Sequence, residues 1–139
     1  IPWDDDVDIA IDTSDKHRLL QLKSKFKKIG LELVGVGNYM KVKTPKSAKV
    51  WIDIFCLDNG IYPQKQFSAY NYKSDELYPL KYGQFGPFKM KIANKAKKYL
   101  KHSYKDWDKT AFIYNHATKQ KLKVSLKDYP ELKLPTLPT

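Results

Sequence analysis

The residues with the clearest potential for chemistry are acidic side chains near the start of the chain and one in its middle. Asp4, Asp6 and Asp8 recur at every second position, and Asp53 interrupts an otherwise apolar run at residues 50–57. Alternate side chains of a β-strand share one face, so these carboxylates would lie roughly 6–7 Å from their neighbours. Like charges at that separation repel unless a cation lies between them.

Asp53 presents a related problem, because a charged carboxylate buried without a partner costs several kcal/mol. If the two strands lie side by side, Asp6, Asp8 and Asp53 form an all-oxygen pocket suited to a hard divalent ion such as Mg²⁺ or Mn²⁺. Two such ions about 4 Å apart could activate an attacking hydroxyl and stabilise a phosphate leaving group. The spacing therefore favours a site for divalent metal ions.

Two other interpretations of the acidic cluster stay open. The segment from Asp4 to Asp15 has the acid spacing of a calcium-binding loop, but Ile9 stands where the sharp turn of that loop requires glycine. The cluster could instead be a solvated turn in which Asp12 or Asp15 favours the dipole of a following helix. The strict alternation, together with an acid inside an apolar strand, favours the metal site over this turn.

The elements that must position these acids follow from the apolar pattern. Alternating apolar residues predict a strand over Ile1–Ile11. Apolar residues at three- and four-residue spacing predict an amphipathic helix over Asp15–Ile29 that stops at Gly30. Three strands are expected next, the first two joined by a tight turn at Gly37 and Asn38: Leu31–Val36, Tyr39–Lys43 and Val50–Leu57.

The rest of the chain is less regular in pattern. Residues 58–75 are predicted to form a loop with weak strand character at Phe67–Tyr72, and residues 77–88 an irregular strand pair with turns. The remaining predictions are a helix over Asn94–Lys105, strands over Ala111–Tyr114 and Lys119–Val124, and an extended tail from Pro130. The expected fold class is α+β, with one domain over residues 1–129 and a proline-containing tail over 130–139.

Composition excludes several classes of protein. A chain of 139 residues with 42% hydrophobic residues can bury one core, which excludes a disordered or collagen-like protein. The single cysteine, Cys56, cannot form an internal disulfide, and no run of 18 apolar residues could span a bilayer. The net charge is +11, yet Arg18 is the only arginine among 26 basic residues, which argues against bidentate reading of nucleic-acid bases.

Two motifs carry a resemblance to a known family. Residues 1–9, IPWDDDVDI, resemble the IPWDDDxDI motif of the LicD/fukutin family of phosphotransferases, and residues 52–58, IDIFCLD, resemble its DIFPLD motif. A looser similarity runs from Leu77 to Trp107, which is similar to the family's FPL segment, VPxN turn, helix ending in YL, and YGDW motif. Together the matches cover about residues 1–107.

The resemblance implies a nucleotidyltransferase-like mixed β-sheet flanked by helices. It implies that Asp6, Asp8 and Asp53 are the catalytic residues, with the first two as the metal-binding pair and Asp53 as a further ligand and candidate base. Asp4 would be a supporting metal-binding carboxylate, and Asp5 would face away. The family's members use a pair of Mg²⁺ or Mn²⁺ ions.

The implied reaction moves a phosphorylated alcohol or sugar from a CDP-activated or other nucleotide donor to a glycan hydroxyl. The implied partners are therefore the nucleotide-activated donor and the glycan acceptor. No membrane span is expected within this chain. A eukaryotic glycan-modifying member would act in the Golgi lumen, and a bacterial or viral one in the cytoplasm.

The sequence departs from the family pattern at three places. Cys56 replaces the proline of DIFPLD, Ala93 replaces the proline of VPxN, and Lys105 replaces the glycine of YGDW. The family's glycine-rich, phosphate-holding turn lies upstream of the first motif, so we expect the physiological protein to be longer, or a companion chain to complete the site. Cys56 is expected to be a packed thiol, because oxygen-rich surroundings would raise its pKa.

A noncatalytic role is the alternative. Lysines within residues 95–101 and 119–123, interleaved with aromatic residues, could bind a glycan or, less favourably, a nucleic acid. They equally fit a solvated helix face and a protected edge strand. Three mutually repelling carboxylates favour the enzyme, because a noncatalytic relative has no energetic reason to keep them.

The histidines add no further metal site. The spacing of His17, His102 and His116 fits no metal-binding motif, so each is expected to be structural or solvated. His116 is the candidate for a substrate contact.

Overall fold

The computed structural model describes residues 6–45, 47–73, 75–115 and 117–132 of the chain. The chain forms two compact units that divide between Asn71 and Tyr72. Helices and strands are mixed, so the expected α+β class is confirmed. The described strands form one four-stranded mixed sheet and two separate two-stranded sheets.

The first unit carries the four-stranded sheet. Its elements in chain order are β1 (Asp6–Asp12), α1 (Lys16–Gln21), α2 (Lys23–Lys28), β2 (Glu32–Val36), β3 (Tyr39–Thr44) and β4 (Ser47–Leu57). The strand order is β1-β4-β3-β2, with β1 parallel to β4 and the other two pairs antiparallel. The sheet is therefore mixed, and the first strand along the chain pairs with the last.

One face of this sheet carries the core of the first unit. The buried apolar side chains on three strands are Leu33, Met40, Val42, Ile54 and Cys56. Half-buried side chains from β1 and from the helical segment and its exit pack against them: Ile9, Ile11, Leu19, Phe26 and Leu31. Because side chains alternate across a strand, the residues between the core positions of each strand point to the opposite face.

The helix predicted over Asp15–Ile29 is two shorter helices. The backbone tightens at Leu22, whose N–H donates to the carbonyl of Leu19 over 3.0 Å, and this 3₁₀-type bond interrupts the α-helical ladder. Asp12 caps a 3₁₀ turn ahead of α1 by accepting hydrogen bonds from the N–H and Oγ of Ser14, at 2.9 and 2.7 Å. Asp12 therefore stabilises the start of the helical segment.

Two predicted turns are confirmed at glycines. Gly30 follows α2 with φ +78°, and Gly37 opens the two-residue turn between β2 and β3 with φ +74°. Val36 and Tyr39 pair on either side of that turn. A positive φ at the first turn residue suits the right-handed twist of a two-residue hairpin and is readily adopted by glycine.

The weak strand predicted at Phe67–Tyr72 is wrong, because residues Lys65–Tyr70 form a 3₁₀ helix. The segment is held by aromatic packing instead of strand pairing. Phe55 on β4 contacts Tyr62 edge to face with ring centroids 5.7 Å apart, and Tyr62 contacts Phe67 in the same way at 5.5 Å.

The second unit is built from two hairpins and a helix. Its elements are β5 (Lys81–Phe85), β6 (Phe88–Ile92), α3 (Ala96–Tyr104), β7 (Thr110–Tyr114) and β8 (Lys121–Ser125), followed by a 3₁₀ turn at Leu126–Asp128. Each hairpin is antiparallel. Within the part of the chain that the structure describes, no helix has the length and apolar character needed to cross a membrane. Most of the predicted tail, residues 133–139, lies outside that part.

Glu76 is a buried polar anchor of the second unit. Its side chain is fully buried, and its Oε2 accepts a hydrogen bond from the Lys73 N–H at 2.9 Å. Its Oε1 lies 3.1 Å from Nδ1 of His102 on α3. Both carboxylate oxygens therefore have partners, as a buried acid requires.

Lys105 follows α3 in a backbone conformation that normally requires glycine. Its φ is +48° and its ψ is −94°. A residue with a Cβ atom is strained there by roughly 1–3 kcal/mol, whereas glycine is not. The YGDW motif has glycine where this chain has Lys105, and glycine would be less strained than lysine at this position.

Replacing Lys105 with glycine is expected to raise the free energy of unfolding by about 1 kcal/mol, because the strain is relieved. Lys101→Gly, an exposed position inside α3, is the matched control and should lower it by about the same amount. Urea unfolding followed by circular dichroism measures both. A Lys105→Gly variant no more stable than the wild type would contradict the strain.

Candidate metal centre

Parallel pairing of β1 with β4 brings three carboxylates together. Asp8 lies opposite Asp53, and Asp6 lies opposite Trp51, two residues earlier on β4. One carboxylate oxygen of each acid lies within 4.8 Å of those of the other two. We call Asp6, Asp8 and Asp53 the carboxylate triad; the structure brings these three acids together as the sequence predicted.

The triad lies on the face of the sheet opposite the core. Asp6 and Asp8 alternate with Ile9 along β1, and Asp53 precedes Ile54 on β4, so the acids point away from these apolar side chains. Asp53 is only 9% exposed, Asp6 is half-buried and Asp8 is exposed. The site is therefore closed at one end and open to solvent at Asp8. Asp4 and Asp5 lie outside the described residues.

A lysine from a third strand meets the buried acid. Lys41 pairs with Asp53 across β3 and β4, and its Nζ lies 3.2 Å from Asp53 Oδ1. The same ammonium lies over the ring of Trp51, 4.1 Å from the centroid. The ion pair is not aligned as a hydrogen bond, so Asp53 Oδ1 is buried without a hydrogen-bond donor among the residues that the structure describes.

Tyr39 contacts the same carboxylate by donating a hydrogen bond from its hydroxyl to Asp53. Burial raises the pKa of Tyr39 well above its usual value of 10.0, and the hydrogen bond and the negative charges of Asp53, Asp8 and Asp6 raise it further. Tyr39 is therefore a neutral hydrogen-bond donor at physiological pH and orients Asp53.

The chemistry of the donor set fits a divalent cation. The carboxylate triad brings three acidic side chains together, and Lys41 forms an ion pair with one of them, Asp53. The candidate ligand atoms of the triad are all carboxylate oxygens, which Mg²⁺ and Mn²⁺ prefer. Asp53 also carries a buried oxygen, Oδ1, that has no hydrogen-bond donor in the described structure. The triad could therefore bind a metal ion.

Lys41 and Tyr39 are site residues that sequence reasoning missed. They lie two residues apart on β3, so the period-two pattern places them on one face. Which residues they meet depends on the register of β3 against β4, which shifts at Lys43/Thr44. That register is a property of the folded sheet, and the local pattern does not contain it.

Cys56 is a free, fully buried thiol in the core of the first unit. Burial raises the pKa of this thiol, and Lys16 lowers it by a smaller amount. The expected direction is confirmed, but its cause is burial rather than oxygen-rich surroundings. The Cys56 N–H donates to the Asn38 carbonyl at 2.8 Å, a hydrogen bond that the family's proline at this position cannot make.

The buried thiol should react with Ellman's reagent only after the protein unfolds. Reaction in native buffer is expected to be at least roughly 100-fold slower than in guanidinium chloride, because access requires opening of the core. The release of thionitrobenzoate is followed by its absorbance, and the unfolded protein, which has one cysteine, supplies the one-thiol reference. Equal rates in the two conditions would show that the thiol is accessible.

The histidines that the structure describes have structural partners. Nδ1 of His17 lies 2.8 Å from the carbonyl of Ser14 at the start of the helical segment, and His102 contacts the buried Glu76. Both therefore fit the structural role expected from the sequence. His116 lies outside the described residues.

Part of the predicted basic surface is engaged internally. Lys95 and Lys98 form ion pairs with Asp75 at 2.6 and 2.9 Å. Hydrogen bonds from Lys95 and then Lys98 hold the pKa of Asp75 well below its usual value of 3.8. These two ammonium groups are directed to an acid of the chain itself.

Comparison with known proteins places this site in context. A family model described as LicD/FKTN/FKRP, nucleotidyltransferase domain, matches residues 1–95. An uncharacterized protein of Rickettsia prowazekii is 29% identical over 123 residues, which cover 83% of this chain and 44% of the relative. An uncharacterized protein of Rickettsia typhi is 28% identical over 127 residues, covering 83% and 37%.

The chain thus spans less than half the length of these curated relatives. No solved structure matches it. The matched residues include the whole carboxylate triad, Lys41 and Tyr39.

Proposed function

Because the chain belongs to the LicD/FKTN/FKRP nucleotidyltransferase-domain family, we propose that it is a metal-dependent phosphotransferase. The reaction moves a phosphorylated alcohol or sugar from a CDP-activated or other nucleotide donor to a hydroxyl of a glycan. Family membership by itself indicates a transferase. The observation that carries the proposal is the convergence of three carboxylates from two neighbouring strands.

The proposed fold is nucleotidyltransferase-like, with residues 1–129 as the C-terminal portion of that domain and 130–139 as an extended tail. The family match to residues 1–95 supports this proposal. The mixed sheet supports it as well, because it carries an Asp-x-Asp pair on β1 and the third acid on the adjacent β4.

The carboxylate triad is proposed to hold Mg²⁺ or Mn²⁺, as a pair of ions, with Asp4 as a supporting carboxylate. Such ions, when bound, polarise a phosphoryl group and lower the pKa of a coordinated hydroxyl. Asp53 accepts a hydrogen bond from Tyr39 and forms an ion pair with Lys41. These two contacts fix its carboxylate in place, which suits it to holding an ion.

Asp8 is the exposed member of the triad and the carboxylate that an entering acceptor meets first. In the proposed transfer the acceptor oxygen forms a bond to the phosphorus of the donor, and the bond from that phosphorus to the nucleoside monophosphate breaks. The hydroxyl proton passes to a carboxylate of the triad. Asp8 is the more accessible candidate for this base, and Asp53 is the more firmly held one.

Isothermal titration with Mn²⁺ and then with CDP tests the proposed site. The wild-type chain should bind Mn²⁺, and Asp8→Asn and Asp53→Asn should each weaken that binding by at least roughly tenfold, because each removes a charged ligand. In the full-length protein, CDP should bind only when Mn²⁺ is present.

Asp15→Asn is the matched control, because it removes an exposed carboxylate that pairs with Arg18 in the same unit. It should leave Mn²⁺ binding within roughly twofold of the wild type, as expected for an exposed charge screened by solvent. Mn²⁺ affinity that is unchanged in both Asp8→Asn and Asp53→Asn would refute the metal site. A full-length protein that binds no CDP with or without Mn²⁺ would favour the noncatalytic alternative.

A further inference from the structure

One row of charged side chains crosses three strands of the first sheet. Asp8 on β1 lies opposite Asp53 on β4, and Asp53 lies opposite Lys41 on β3. Directly opposed residues point to the same face of a sheet, so the row runs from carboxylate to carboxylate to ammonium. The ammonium of Lys41 therefore belongs to the same surface as the carboxylate triad.

Two contacts hold this ammonium in place. It lies 3.2 Å from Asp53 Oδ1 and 4.1 Å from the ring centroid of Trp51. The Lys41 side chain is 26% exposed and that of Asp53 is 12% exposed. A partly desolvated ammonium over an aromatic face is stabilised by cation–π attraction as well as by the ion pair.

The position of the ammonium opposes metal binding at the same oxygen. Asp53 Oδ1 is a buried oxygen of the triad, and it has no hydrogen-bond donor among the described residues. A fixed positive charge at 3.2 Å from that oxygen repels a divalent ion arriving there. Without an ion, the same charge offsets the repulsion among the carboxylates.

We propose that Lys41 is a built-in counter-cation of the carboxylate triad, which neutralises Asp53 in the metal-free protein and lowers the affinity of the site for divalent ions. The inference rests on the proposed metal-dependent function. Lys41 is a positioning residue in this scheme, because it acts on the site through Asp53. Metal binding then requires the ammonium to release or share Asp53 Oδ1.

Mn²⁺ titration of charge variants tests this role. Lys41→Met keeps the length of the side chain and removes its charge, so it should bind Mn²⁺ roughly tenfold more tightly than the wild type. Lys41→Arg keeps the charge and should stay close to the wild type. Lys43→Met is the control for net charge, because Lys43 lies on the same face of β3 but opposite Trp51 instead of Asp53. It should change Mn²⁺ affinity by less than roughly twofold.

Thermal unfolding supplies a readout that a merely structural lysine would not give. Metal-free Lys41→Met should melt below the wild type, because the triad has lost its counter-charge, and Mn²⁺ should raise its melting temperature by more than it raises that of the wild type. A lysine that only supports the fold would lower stability and metal affinity together. Lys41→Gln gives the same comparison if Lys41→Met does not fold.

The outcomes separate this inference from the proposed function. Folded Lys41→Met that binds Mn²⁺ no more tightly than the wild type overturns the role of Lys41 alone. Absence of Asp8-dependent Mn²⁺ binding in both the wild type and Lys41→Met overturns the proposed metal site and this inference with it.

Discussion

Repulsion among three carboxylates held on one sheet surface is the constraint on which the site depends. Oxygens of Asp6, Asp8 and Asp53 lie within 4.8 Å of one another, a separation at which like charges oppose folding. The chain offsets this cost at its buried end, where Lys41 supplies a positive charge and Tyr39 a hydrogen bond. At the exposed end water screens the charge of Asp8. These contacts at Asp53 lower the cost of holding the three acids on one surface.

The same strand alternation that builds the site also builds the core. On β4 the acid at Asp53 points to one face and its neighbour Ile54 packs into the core on the other. A register slip of one residue would exchange the two faces, so the apolar packing against Leu19 and Phe26 also fixes where the acids lie. Core packing and metal-site geometry are therefore one requirement, and the stability of the core determines the precision of the site.

The second unit shows how a strongly basic chain is organised by a few acids. Residues 77–105 contain no acidic residue, yet the acids just before them engage this segment. Asp75 pairs with Lys95 and Lys98, and the buried Glu76 contacts His102. Formal net charge thus overstates the positive charge that is free to meet a phosphate group. The helix that carries these lysines is anchored by the same contacts that reduce its charge.

Local pattern determined much of this protein: the two alternating acids on one strand, the anomalous acid within an apolar strand, the turn at Gly37, the α+β class and the family motifs. The motifs are a resemblance carried by the residues themselves. The other features follow from apolar periodicity and turn chemistry, which act over a few residues. Only the tertiary structure decided that Lys41 faces Asp53, that residues 65–70 form a 3₁₀ helix, and that Glu76 meets His102. Strand register and aromatic packing decide such contacts, and they depend on residues far apart in the chain, which no local periodicity encodes.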